Sequence, residues 1–141
     1  MNEKTAEYIR SEIEAADRVR LIELLYQRAY SDLEAARTIW TQKPHDSAAG
    51  PLLVHAQRIV GELQRCLDYS QGQALPATLG RLYEYIQFTL MQIVVQRSEN
   101  NLGRLEEIQG LVGTLSDAWS TMALQQREAT SAPAQLESLV A

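Results

Sequence analysis

Between Leu79 and Val95 the chain carries apolar residues on two opposite faces of a helix. Leu79, Leu82, Tyr83, Ile86, Leu90 and Ile93 recur at steps of three and four and form one stripe. Tyr85, Phe88, Met91 and Val95 fall on the other side. One neighbouring helix covers only one of these stripes. The segment therefore needs neighbours on several sides inside a bundle, or a second chain against its outer face. A helix that is apolar all round is generally buried, which makes the central helix of a bundle the first expectation.

The rest of the chain supplies the neighbours. From Asp17, a potential N-cap, Ile22, Leu25, Ala29, Leu33, Ala36 and Trp40 keep a helical period until Pro44 forbids continuation, predicting a helix over about 18–42. After a loop with turn chemistry, Leu52, Ala56, Ile59, Val60, Leu63, Cys66 and Leu67 predict a second helix over about 51–70, closed by Gly72. Pro76 suits the first turn of the third, about 76–97. Leu102, Leu105, Ile108, Val112, Leu115, Trp119 and Met122 predict a fourth over about 101–126. Gly103, Gly110 and Gly113 sit away from its apolar arc, where they either are tolerated on the surface or let another backbone come close. No stretch calls for a strand. Short connections favour antiparallel neighbours, so the expected fold is an all-α, antiparallel, up-down four-helix bundle over residues 17–126. Residues 1–16 read as a short mobile or helical N-terminal arm carrying Tyr8, Ile9 and Ile13, and residues 127–141 as a flexible C-terminal tail.

Chain length and composition suit one domain able to bury a core without metal or disulfide: 141 residues, 45% hydrophobic, 22% charged. The formal charge is −5 and basic residues are scattered, so no cationic stripe tracks a phosphate backbone and nucleic acid is not expected as a partner. No apolar run reaches the length of a membrane span, and the polar start Met1-Asn2-Glu3-Lys4 does not resemble a signal peptide, so the expected location is the cytoplasm. Cys66 stands alone and suits a small core position. Neither His45 nor His55 has an acid three residues before it, which removes the Glu-x-x-His signature of a di-iron bundle. Phosphate loops, nucleophile elbows and Cys-x-x-Cys pairs are missing too, so no enzyme, metal or cofactor is expected.

Two segments carry a resemblance. Leu21-Ile22-Glu23-Leu24-Leu25-Tyr26-Gln27-Arg28-Ala29 and Leu79-Gly80-Arg81-Leu82-Tyr83-Glu84-Tyr85-Ile86 are similar to the bacterial flagellin export chaperone family, FliS. Tyr8, the run His55–Leu63 and Ala118-Trp119 extend the likeness over about residues 8–122. Gln27-Arg28 stands where the family often has Asp-Gly, and Asp17-Arg18 where it often has a proline. The resemblance implies a cytoplasmic chaperone that binds the disordered C-terminal segment of flagellin, prevents its premature polymerisation and assists its delivery to the flagellar type III secretion system. It further implies flagellar export-gate or regulatory proteins as additional partners, and a free state that is monomeric or weakly dimeric.

Ordering a disordered client costs on the order of 1–2 kcal/mol per residue, so a large apolar surface is required in return. Tyr85, Phe88, Met91 and Val95 are the expected client surface, with Tyr26 and Tyr83 as amphipathic anchors at groove edges. Tyr8, Ile9 and Ile13 are expected to cover part of an apolar groove when the client is absent. The competing expectation is a structural or regulatory bundle that uses the same stripe to self-associate or to hold a partner other than flagellin.

Overall fold

The structure, a computed structural model, describes the backbone of residues 2–140 and side chains as far as residue 129. Four α-helices follow one another: α1 (Glu3–Gln42), α2 (Gly50–Arg65), α3 (Ala74–Val95) and α4 (Asn101–Val140), with a single 3₁₀ turn at Ser47–Ala49 before α2.

Neighbouring helices run in opposite directions. Across the α1–α4 seam Tyr30 packs on Gly113, and Gln109 donates to Glu34. Across α2–α3, Leu67 lies against Gly80 while Gln87 donates to Gln64 at 2.7 Å. Tyr85 with Glu107, and Ile93 with Asn101, set the α3–α4 register. These pairings make an up-down bundle in which α1 and α3 are diagonal partners. Ala29, Leu33, Leu53, Ala56, Ile86, Leu90, Leu105 and Ile108 form its innermost layer.

Local chemistry explains most element ends. The Asn2 side chain accepts from Thr5 N at 2.9 Å and caps α1. Pro44 stops that helix, and the Trp40 indole donates to the Asp46 carbonyl at 3.0 Å to pin the connection. The Asp46 side chain caps the 3₁₀ turn, and Pro51 occupies the first turn of α2. That helix stops at Arg65, short of the expected 70, because Asp68 draws the Ser70 N–H at 2.9 Å into a local turn that competes with the helix. Gly72, at φ 128°, then reverses the chain. Asn101 closes the next junction by donating to the carbonyls of Ile93 and Gln96 at 3.2 and 2.7 Å.

Two expected boundaries are corrected. Asp17 is not an N-cap: from Glu3 onward the arm is helical and continuous with the first bundle helix, since nothing between Glu3 and Asp17 breaks a helix and α4 lies alongside Ala15, Ala16 and Val19. At the other end α4 passes through Gln126 without interruption and reaches Val140, so the segment expected as a flexible tail begins inside a helix. At about 1.5 Å per residue, α1 and α4 are each about 60 Å long and outrun the shorter helices between them. The accessible surface reflects this. It is 9577 Å², against about 7,400 Å² for a compact monomer of this mass.

Candidate protein-binding surface

Helix α3 is flanked by α2 on one side and α4 on the other, with α1 diagonal to it. Its inward stripe is consumed: Tyr83, Ile86, Leu90 and Ile93 are buried, while Leu79 packs on the core from its edge. Among the described residues no element covers the outward side. Tyr85 is 44%, Phe88 62%, Met91 53% and Val95 73% exposed, and Val94 joins them at the α2 edge. This is a contiguous apolar row on one helix face, the kind of patch that marks an interaction site on a soluble protein. The Tyr85 hydroxyl donates to Glu107 at 2.9 Å, which ties the row to α4.

The other expected site residues lie elsewhere. Tyr26 and Tyr83 are not groove-edge anchors; both are only 3% exposed. They meet from the two diagonal helices across the bundle centre, rings 6.4 Å apart and hydroxyls hydrogen-bonded to each other. A buried phenol needs a partner, and at this level of the core each tyrosine is the other's. Burial pushes the Tyr26 hydroxyl above its ordinary pKa, opposed in part by the bond from Tyr83, and pushes Tyr83 further upward with the same bond adding to the effect. The Trp119 ring packs against Tyr26 with centroids 6.3 Å apart and planes tilted by 43°, and its indole donates to the Val19 carbonyl at 3.1 Å, closing the α1–α4 seam over the pair.

Tyr8, Ile9 and Ile13 do not cover the α3 row. All three are exposed on the extension of α1, because the continuous helix carries them along its own axis. Ile13 borders an apolar cleft of about 520 Å³ between the two long helices, lined also by Ala16, Val19 and Ala123.

Buried carboxylates were not legible from the periodicity. Asp32, buried in the α1–α2 seam, pairs with His55 Nδ1 at 2.5 Å and faces Arg28 at 3.8 Å. Glu23, buried on the α4 side, pairs with Arg20 at 2.5 Å and approaches Arg127 at 4.0 Å. Each is an acid beside a core position of α1 with a basic residue three or four places away, a signal that equally describes a solvated face. Gly113 resolves the question raised by the α4 glycines in part: a Cβ there would meet the Tyr30 ring at 3.0 Å, whereas Gly103 and Gly110 face open space.

Among the described residues no group of three His, Cys, Asp or Glu side chains could hold a metal ion. None of the described helices is long and apolar enough to cross a membrane.

Comparison with known proteins places the chain beside proteins of one function. A family model described as flagellar protein FliS matches residues 1–127. The flagellar secretion chaperone FliSB of Pseudomonas aeruginosa is 30% identical over 111 residues, 79% of this chain and 85% of the relative. The flagellar secretion chaperone FliS of Salmonella typhimurium is 30% identical over 112 residues, 79% of this chain and 80% of the relative.

Proposed function

Because the chain belongs to the FliS family, whose members are flagellar secretion chaperones and not enzymes, we propose that its client is flagellin and that it holds flagellin's disordered C-terminal segment in the cytoplasm. In that bound form the client cannot polymerise prematurely and is handed to the flagellar export apparatus. The observation that carries this reading is the exposed row Tyr85, Phe88, Met91 and Val95 on a bundle whose core is already complete. Such a row contributes nothing to folding the free monomer, so its energetic return comes on binding. Aromatic side chains bury about 150–250 Å² each and dominate interface energetics, and an amphipathic client helix lying along α3 would cover the whole row.

Coupled folding and binding commonly buries about 1,000–3,000 Å². One helix face falls short of that, which agrees with a client that continues from α3 onto the long outer surfaces of α1 and α4. The test is a titration of flagellin into the purified protein, followed by light scattering. A one-to-one complex is expected, with Phe88→Glu weakening it at least about tenfold, or roughly 1.4 kcal/mol, while leaving the thermal melt unchanged. Undiminished binding by Phe88→Glu, or a tight dimer indifferent to flagellin, would overturn the proposal.

A further inference from the structure

The acids of this chain avoid one part of its surface. There are 18 acidic residues against 13 basic ones, yet neither stretch 47–61, the 3₁₀ turn with most of α2, nor stretch 85–98, the second half of α3 and its exit, contains an Asp or Glu. Apart from His55, which turns to Asp32 in the α1 seam, their charged residues are Arg58 and Arg97. The two stretches face each other. Gly61 lies against Gln87, and one turn back along α2 with one turn forward along the antiparallel α3 brings Arg58 level with Met91, and a second turn brings Val54 level with Val94. Arg58 and Arg97 are both exposed, and among the described residues neither has an acidic partner.

The two ends of the row differ. At the Tyr85 end Glu107 on α4 accepts from Tyr85, and Glu84, on the α2 side, accepts from Gln64 at 3.4 Å; further along, α4 presents Arg104, which donates to Gln92 at 2.6 Å. Phe88, Met91 and Val95 thus run from an acidic end at Tyr85 to a cationic end bordered by Arg58, Arg97 and Arg104. An apolar row bordered in this way discriminates between helices of equal hydrophobicity, because rim charges set orientation and reject like-charged partners more than they add affinity.

We propose that this half-face takes a single amphipathic client helix whose apolar stripe covers Phe88, Met91 and Val95 and whose acidic edge turns toward Arg58 and Arg97. The inference rests on the reading of the α3 row as the client surface and adds the chemistry of what binds there. Arg58 and Arg97 select the direction in which the client helix lies.

The test uses the full chain and two synthetic helical peptides with one Leu/Met stripe, bordered in one case by Glu and in the other by Lys, titrated by fluorescence anisotropy. At low salt the Glu-bordered peptide is expected to bind about tenfold tighter, with the preference shrinking as salt rises. Arg58→Gln with Arg97→Gln should abolish the preference, and Phe88→Glu should weaken both peptides. Equal binding of the two peptides, a preference for Lys, or a preference that survives the double Gln variant would overturn the inference. The C-terminal segment of flagellin, titrated in parallel, separates the two levels. If it binds in a Phe88-dependent way while the peptides show no charge preference, only the acidic edge is lost; if it ignores Phe88→Glu, the client surface itself is lost.

Discussion

The inward and outward rows of α3 are built from the same kinds of residue and meet opposite fates. Tyr83, Ile86, Leu90 and Ile93 point into the bundle and are shielded from water, whereas Tyr85, Phe88, Met91 and Val95, interleaved with them, stay exposed. Hydropathy does not separate the rows. The number of neighbours does: α2 and α4 flank α3, α1 closes the diagonal, and no further element among the described residues covers the remaining side. A chain that keeps aromatic and sulfur-containing side chains on that side holds in reserve a surface that folding leaves unused.

The contrast is sharpest one residue apart. Leu90→Ala, at a position with 0% exposure, should cost about 2–5 kcal/mol through lost burial and a cavity. Met91→Ala should stay within about 0.5 kcal/mol of the parent. Urea unfolding of both variants checks this, and comparable losses would erase the distinction between the rows.

A smaller effect is expected at the tyrosine pair. Tyr83→Phe leaves the buried Tyr26 hydroxyl without its partner and should destabilise by about 1–3 kcal/mol. Adding Tyr26→Phe should restore part of that loss, because no polar atom is then stranded. A double variant as damaged as the sum of the two singles would show that the hydroxyls do not act as a unit.

The weakest signal is the pH dependence of the same pair. Both hydroxyls have folded-state pKa values raised above the ordinary 10.0, chiefly by burial. Their neutral forms therefore favour the folded state fully below pH 10, and that contribution is lost as the pH rises above it, where the unfolded chain releases protons that the native state retains. An alkaline titration followed by tyrosinate absorbance should show the exposed tyrosines ionising first and this pair only as the fold opens. In the doubly substituted protein, stability should fall less steeply above pH 10.

The arm shows where periodicity alone misleads. Tyr8, Ile9 and Ile13 make an amphipathic pattern that reads as a cover for a nearby groove, but the residues between Glu3 and Asp17 include no glycine or proline. The helix therefore propagates through them and carries the arm on along the axis of α1. Asp32 and Glu23 were hidden for a related reason. An acid one position off the apolar stripe is solvated or buried according to which neighbour lies over it, and that depends on packing.

Residue order by itself determined the helix count, the proline-marked ends of α1 and the starts of α2 and α3, the apolar stripes, the family, and the two-sided character of α3. These depend on local backbone chemistry and on period, which act over a few residues. Only the tertiary structure decided that Tyr83 faces Tyr26 while Tyr85 faces Glu107, that α1 and α4 outrun their neighbours, and that acid-free stretches of α2 and α3 share one border. Those outcomes depend on which helix lies across from which and in what register, and such pairings join residues far apart in the chain that no local pattern connects.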